Sequence, residues 1–366
     1  MGKRIAVGLS GGVDSAVAAA LLIEEGYEVL GLTMKIWSGA IRIKEGAKQA
    51  CYGPGEEEDV AACESLCAAL GIEYRALDLS AEYEELVLEY FKREYRAGRT
   101  PNPCVVCNRE LKFGFLLERA RAAGLDFELF ATGHYARIAE RKGVLHLRSA
   151  AQAAKDQSYF LYRLSPGILA STRFPLGELS KEEVRAKARE LGLAVADKAE
   201  SQDFIAGGDY GPLFADRPPE PGEIVDESGR VLGLHRGLPF YTVGQRRGLG
   251  LSLGPEPLYV LRLEGASNRL VVGPGAGLFA EGLLASDFRL QSPEGGEAPF
   301  RARAKIRQNH EPVPCLASPG AGGSCRVDFE VPQRAAAPGQ SVVLYDEEGL
   351  VLGGGIIESA LEAPRP

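Results

Sequence analysis

No stretch of this sequence stays apolar for the roughly 18 residues that a membrane-spanning helix needs; charged residues interrupt every hydrophobic run sooner than that. Nor does the chain open on an apolar segment with a small-residue cleavage site, the mark of a secretory signal. A cytoplasmic protein without a membrane partner is expected, monomeric by default. Cysteine is unsuited to a disulfide framework: the seven residues, an odd number, lie in three separate regions. Reduced thiols with packing or chemical roles are expected instead. Positive charge is in deficit too. Lysine and arginine number 42 against 50 aspartates and glutamates, a net charge of −8, so a nucleic-acid partner requires a local basic patch. What remains is ordinary: 366 residues, 45% apolar and 25% charged, enough for two or three domains with cores of their own.

The most informative stretch lies near the start of the chain. Residues 5–8 are a short apolar run of buried-strand type, and residues 16–23 (AVAAALLI) are a strong helix former. Between them Ser10, Gly11, Gly12 and Asp14 make a turn. Strand, glycine-rich loop and helix start together leave backbone N–H groups aimed at an anion. The glycines let a phosphate approach the backbone, and the hydroxyls of Ser10 and Ser15 can donate to it. The loop lacks the Gly-Lys-Ser/Thr ending of a Walker A sequence, so it has no lysine of its own for a terminal phosphate. It also lacks the G-x-G-x-x-G spacing of a dinucleotide fingerprint. It resembles the SGGxDS pyrophosphate loop of the ATP pyrophosphatase superfamily, enzymes that activate an oxygen by adenylation and release pyrophosphate. A turn that merely caps a core helix has no need of all these fixed positions at once.

Strand and helix patterns alternate through residue 132: strands at 5–8, 28–33, 73–79 and 127–132, helices at 16–25, 59–70, 82–95 and 111–123. This predicts an α/β domain whose parallel sheet is covered by helices, with ligands at the C-terminal strand ends. Residues 38–58, rich in Gly, Lys and Glu, read as a mobile lid or disordered insert. Residues 181–191 read as an amphipathic helix. Pro212, Pro218, Pro219 and Pro221 punctuate a linker. Short strands follow (223–232, 241–244, 258–263, 270–272), then an all-β pattern with alternation at 300–306, 325–331 and 341–345. The expected domains are an N-terminal parallel-sheet PP-loop domain (adenine nucleotide α-hydrolase-like, ATP-binding and catalytic) over 1–212, a small connecting domain over 213–278, and a C-terminal β-barrel over 279–366.

A second stretch, residues 97–108 (AGRTPNPCVVCN), carries a C-x-x-C pair, Cys104 and Cys107. Its two prolines keep it out of a helix interior, so it reads as a loop between helices. Arg99 and Arg109 flank the pair and favour thiolate. A structural zinc site is disfavoured, since no second C-x-x-C or H-x-H partner follows; a thioredoxin-type redox pair opens a helix directly after a strand. A nucleophilic or sulfur-carrying cysteine beside an ATP site fits best. The same region holds the candidate basic patch: Lys92, Arg93, Arg96, Arg99, Arg109 and Lys112 against Glu94 and Glu110, a local balance of +4.

These residues make the chain similar to the tRNA-specific 2-thiouridylase (MnmA/TrmU) family of the PP-loop superfamily. The resemblance is carried by residues 8–15 (GLSGGVDS), 98–113 (GRTPNPCVVCNRELKF), 131–136 (ATGHYA), 155–160 (KDQSYF), 201–203 (SQD), 241–250 (YTVGQRRGLG) and 352–356 (LGGGI), in family order over nearly the whole chain. It implies ATP-dependent 2-thiolation of the wobble uridine in tRNAs of the Lys, Glu and Gln type. ATP adenylates the C2 oxygen, and sulfur from a cysteine persulfide or an iron–sulfur-bound sulfide replaces it. By this resemblance Gly8, Leu9, Ser10, Gly11, Gly12, Val13, Asp14, Ser15 and Met34 hold ATP, and Gly133 lies near its adenine or ribose. Asp14 is suited to helping hold Mg²⁺. Asn102, Pro103 and Cys104 lie against the target base, Cys107 is the nucleophile, and His134, Lys155, Asp156, Gln157, Lys305, Ile306 and Gln340 contact tRNA. The sulfur donor is a cysteine desulfurase or a sulfur-relay protein. The competing reading is another adenylating tRNA-modifying enzyme or ligase with this loop, which would not need the C-x-x-C pair.

One departure matters. Many family members carry a second catalytic cysteine after the SQD motif, in a run resembling SQDICF, whereas here residues 201–208 read SQDFIAGG. Two repairs are open. Cys104 and Cys107 act as persulfide-bearing and resolving thiols, or Cys51 joins them as three ligands of a [4Fe–4S] cluster whose fourth iron binds sulfide. Cys63 and Cys67 read as core residues on an apolar helix face.

Overall fold

Ile5, Ala6 and Val7 are fully buried because β1 (Arg4–Gly8) has a parallel neighbour on each side, β2 (Glu28–Lys35) and β4 (Leu129–Thr132). β2 pairs outward with β3 (Glu73–Asp78) and β4 with the short β7 (Thr172–Arg173), giving a five-stranded parallel sheet of order β3-β2-β1-β4-β7. Between β4 and β7 in sequence lies an antiparallel hairpin, β5 (Ala136–Arg141) and β6 (Val144–Ser149). The computed structural model describes residues 3–43, 50–196, 198, 204–251, 256–291 and 298–362. It divides into two units: Met1–Val87, Cys104–Asp209 and Gly349–Val351 form the first, and Leu88–Pro103, Tyr210–Glu348 and Leu352–Pro366 the second. Ser201, Gln202 and Asp203 of the SQD motif fall outside the described residues.

Helix α1 (Val13–Glu24) follows β1 after only four residues. Its run of alanines at 16 and 18–20 is buried, and side chains this small let the helix lie close against the sheet. α2 (Glu56–Leu70) starts earlier than the sequence predicts, with Glu56, Glu57, Glu58 and Asp59 all in its first turn, where the helix dipole favours acidic residues. Cys63 and Cys67 pack into the core with Ile5, Val7 and Leu22. Burial pushes both thiols up, Cys67 to about 12, so neither is reactive at neutral pH. Helix Lys181–Glu190 begins at a capping box: the Ser180 hydroxyl accepts from the Glu183 N–H, and the Glu183 carboxylate accepts from the Ser180 N–H.

Two expectations need correction here. The insert after residue 38 is not a lid at its described C-terminal end. Tyr52 is fully buried, stacked on Tyr83 at 5.2 Å and edge-on to Trp37 at 4.8 Å, and bridged to Ile205 by Tyr52 N–H to Phe204 C=O and Ala206 N–H to Tyr52 C=O. In the stretch 97–108, residues 97–102 do form a loop between helices, but the cysteine pair itself does not lie in it. Helical structure starts at Pro103 and runs through a π-helical segment, Cys107–Phe115, into Leu116–Ala122. Proline at the first helical position gives up only an N–H that has no partner there anyway.

The second unit is all β apart from short helices and residues 88–96. Its mixed four-stranded sheet has the order β10 (Tyr259–Glu264), β11 (Arg269–Gly273), β8 (Gly222–Val225), β9 (Val231–His235), with only β11–β8 parallel. The run at 224–233 (IVDESGRVLG), whose turn chemistry reads as a hairpin, is one, β8 pairing antiparallel with β9, while residues 241–244 form no strand. A closed barrel follows, of order β12 (Phe279–Leu290), β15 (Ser324–Arg334), β14 (Val313–Gly320), β13 (Phe300–Lys305), β16 (Ser341–Tyr345), β17 (Val351–Glu362). Its interior is filled by alternating inward residues such as Leu283, Ala285, Ala302, Ala304, Val327 and Leu344.

Candidate active site

Gly11 takes a left-handed conformation, φ +70°, and the chain turns there from β1 into α1. The Ser15 side chain folds back over the turn, accepting from the Ser10 N–H at 3.2 Å and donating to the Gly12 C=O at 3.1 Å. The loop is therefore braced from within. It opens on a cavity of about 300 Å³ lined by Gly8, Leu9, Ser10, Gly12, Val13, Asp14 and Ser15 together with Met34, Cys51, Gly133, His134 and Gln157. The cavity lies at the C-terminal ends of β1, β2 and β4, where an open parallel sheet binds ligands.

Gly133 packs against the start of α1, and its lack of a side chain is the reason it can. A Cβ there would lie 2.6 Å from the Ser15 nitrogen and 2.7 Å from the Asp14 carbonyl carbon. His134 accepts or donates a hydrogen bond at 2.8 Å between Nδ1 and the Thr132 hydroxyl, with the rings of Phe113 and Phe174 beside it. Burial, and secondarily Lys112, holds its pKa well below the usual histidine value, so the imidazole is neutral at physiological pH. Gln157 accepts from the Tyr135 N–H through Oε1. Asp156 is buried and accepts from the Ala150 and Ser158 N–H groups and the Ser158 hydroxyl. The Gln157 side chain braces the segment that carries His134, and the Asp156 side chain ties the start of the following helix to Ala150. Lys155 ends a short 3₁₀ turn, Ala153–Lys155, and is half-buried.

Asp14 does not stand ready for a metal. Its Oδ1 accepts from Lys181 Nζ at 2.8 Å and from the Tyr135 hydroxyl at 2.8 Å, and its Oδ2 accepts from Lys181 at 2.9 Å. The other two carboxylates lining the cavity are engaged as well. Asp59 pairs with Lys198, and Glu56 Oε1 accepts from the N–H groups of Ile36 and Trp37. The Asp14–Lys181 pair is largely buried, so removing the lysine leaves an uncompensated carboxylate at the start of α1. Lys181→Met is expected to lower stability by about 2 kcal/mol, read as a shift in the denaturant midpoint; an unchanged midpoint would show that the pair contributes nothing.

Cys104 and Cys107 sit one helical turn apart at the start of the helix beginning at Pro103. The flanking arginines do not act on them as expected. Arg109 pairs with Glu110, and Arg99 with Glu94 and Glu358. Burial dominates at Cys107 and pushes its thiol up to about 11, with Lys112 pulling the other way. Alkylation of Cys107 by iodoacetamide is accordingly expected to be slow at pH 7 and to rise about tenfold per pH unit to pH 9 without levelling off; a plateau near pH 7 would mean an activated thiolate. Cys51, Cys104 and Cys107 all lie near the buried Tyr83 hydroxyl, which burial and these thiols together push well above its usual value. They are nonetheless not gathered as ligands: among the described residues no three His, Cys, Asp or Glu side chains stand close enough to hold a metal ion.

The remaining predicted residues, Asn102, Pro103, Lys305, Ile306 and Gln340, belong to the second unit. Gln340 donates through Nε2 to the carbonyls of Thr100 and Pro101 at 3.1 and 3.0 Å, bracing the segment before the cysteine pair. Asn102 is buried, its N–H directed at the Tyr90 hydroxyl. Ile306 is 1% exposed and part of the barrel core, and Lys305 is 5% exposed, so neither side chain is displayed on the surface. The basic patch is diluted by partners distant in sequence: Lys92 and Arg96 pair with Asp216, and Arg99 with Glu358. Lys112 instead lines the cavity. The residues missed in the sequence, Lys181, Lys198, Asp59 and Tyr135, meet the loop across separations of up to 187 positions, beyond any local pattern.

Residues 3–206 match a family model described as tRNA methyl transferase HUP domain, residues 213–274 a tRNA methyl transferase PRC-barrel domain, and residues 280–357 an aminomethyltransferase beta-barrel domain. The chain is 45% identical to a tRNA-specific 2-thiouridylase of Trichlorobacter lovleyi over 100% of both chains. It is 43% identical to that of Acetivibrio thermocellus over 97% of this chain and 99% of the other. Among solved structures, NMN synthetase of Francisella tularensis is 19% identical over 55% of this chain and 67% of its own, with a TM-score of 0.33, too low to support a structural argument.

Proposed function

The chain belongs to the tRNA-specific 2-thiouridylase family, and on that premise we propose that it uses ATP to activate the C2 oxygen of the wobble uridine in tRNA and then exchanges that oxygen for sulfur. The enzyme class is a tRNA-uridine 2-sulfurtransferase. The methyl transferase wording of the family model is a weaker guide than the curated relatives, and the C-x-x-C pair favours sulfur chemistry.

The observation that carries the proposal is the cavity: a glycine-rich loop and the N-terminus of α1 face a space that Met34 and Gly133 also line. The loop amides would take the triphosphate, with the uridine C2 oxygen attacking the α-phosphorus in line and pyrophosphate leaving. Uridine C2 then bears adenylate, a far better leaving group than oxide. Mg²⁺ supplies charge neutralisation during such a transfer. Among the described residues the carboxylates that line the cavity, Asp14, Asp59 and Glu56, are all engaged, and would have to exchange those partners to help hold the metal.

For the sulfur step, the terminal sulfur of a persulfide on Cys107 attacks C2 and expels AMP. The Cys104 thiolate then attacks the Cys107 sulfur, releasing 2-thiouridine and leaving a Cys104–Cys107 disulfide. An external persulfide donor (a cysteine desulfurase or relay protein) supplies the sulfur, and a dithiol reductant resets the pair. The test is reconstitution with unmodified tRNA of the Lys, Glu or Gln type, ATP, Mg²⁺ and a persulfide donor. One AMP and one pyrophosphate per 2-thiouridine are expected; thiolation without AMP formation would overturn the reading.

A further inference from the structure

The phosphate-binding loop has no lysine of its own, but the fold brings one to it. Lys198 Nζ donates to the Gly11 carbonyl at 2.9 Å and to Asp59 Oδ1 at 2.5 Å. All the partners come from different segments: Gly11 from the loop, Asp59 from the first turn of α2, and Lys198 from a position 187 residues beyond the glycine. Gly11 is tied to this arrangement by its own geometry, since a Cβ on it would lie 2.9 Å from Asp59 Oδ1. Lys198 and Asp59 both line the cavity, and their side chains are about a quarter exposed. The ammonium is therefore within reach of a ligand there. Lys181 is otherwise committed, bonded to both oxygens of Asp14.

We propose that Lys198 is the phosphate-binding cation of this site, exchanging Asp59 for the β- and γ-phosphate oxygens of ATP while the Gly11 carbonyl keeps its ammonium oriented. The proposal rests on the ATP reading of the cavity. It follows from the charge balance of the site. A triphosphate brings about four negative charges at neutral pH into a cavity whose lining carries Asp14, Asp59 and Glu56 against Lys112 and Lys198, of which Lys198 is the one bonded to the loop, and backbone N–H groups supply only partial positive charge. An ammonium held beside the loop meets that charge directly. Asp59 keeps the lysine compensated when no nucleotide is present, so no lone charge is stranded in the cavity.

The experiment measures binding of ATP, inorganic pyrophosphate and AMP by calorimetry to the full-length wild type, Lys198→Met and Asp59→Asn. Methionine keeps the length and apolar stem of lysine and removes the charge. Lys198→Met is expected to weaken ATP and pyrophosphate by about 10- to 100-fold while AMP, which lacks the β- and γ-phosphates, binds as in the wild type. Asp59→Asn, which removes the competing anion, is expected to hold or tighten ATP binding. Equal loss of all three ligands in Lys198→Met would mark a merely structural lysine and overturn the proposal, as would unchanged pyrophosphate affinity. A wild type that binds neither ATP nor pyrophosphate would overturn the ATP reading itself, and a wild type that binds both separates the two questions. Should Lys198→Met fail to fold, weakened ATP binding by Asp59→Asn would contradict the exchange.

Discussion

Serine at position 107 is expected to abolish 2-thiouridine formation, by on the order of 10³-fold or more, while ATP and AMP binding stay within a few-fold of the wild type. The separation follows from where the groups sit. Cys107 is on the helix that begins at Pro103, whereas the loop, Met34 and Gly133 line the nucleotide cavity without it. A serine hydroxyl is close to the thiol in shape but cannot carry a sulfane sulfur. Cys104→Ser should behave differently, because the resolving thiol acts after the carbon–sulfur bond has formed. Its product release is expected to depend on added small thiols, and a mixed disulfide between Cys107 and the tRNA sulfur should accumulate without them. Full multiple turnover by Cys107→Ser would remove this residue from the chemistry. The high thiol pKa of Cys107, about 11, makes loading the demanding step, because the Cys107 thiolate must attack the donor's outer sulfur and release the donor's thiolate. Once formed, the persulfide is more acidic than the thiol and is the nucleophile of the transfer to C2.

Gly133→Ala has the other large expected effect. The added methyl would be directed at the backbone of Asp14 and Ser15, at 2.6 to 2.9 Å, and backbone cannot swing aside as a flexible side chain does. Either β4 or the start of α1 must shift. A loss of about 2–3 kcal/mol in stability and of at least tenfold in ATP affinity is expected, measured by denaturant titration and calorimetry on the same preparation. The sequence resemblance put Gly133 near adenine or ribose; the geometry adds that it seats the phosphate loop. Normal ATP binding by the alanine variant would contradict that role.

Local features were legible in the sequence and distant pairings were not. The β1–loop–α1 unit could be read because strand, glycines and alanine-rich helix are consecutive and each has a strong local preference. The barrel was legible from alternation, since period two exposes one face of every strand. The C-x-x-C segment was misread because Pro101 and Pro103 look like breakers, although the second sits at the one helical position that tolerates it. The insert at 38–58 was misread at its described C-terminal end because a Gly- and Glu-rich neighbourhood hides a single aromatic anchor, Tyr52; its bridge to Ile205 joins segments with no shared pattern. The charges were the least legible. Arg99 meets Glu358 and Lys92 meets Asp216, so a local balance of +4 counted along the chain says little about the field that a bound tRNA would meet. Asp14 looked like a metal ligand for the same reason, its partner Lys181 being 167 residues away.

The adenylation step is tested most directly by the fate of one oxygen. A tRNA with ¹⁸O at C2 of the wobble uridine is incubated with enzyme, ATP, Mg²⁺ and a persulfide donor, and the products are examined by mass spectrometry. Attack of that oxygen on the α-phosphorus predicts that the label leaves in AMP, one ¹⁸O per 2-thiouridine formed. Label found in inorganic phosphate alongside ADP, or in water with unlabelled AMP, would contradict the account.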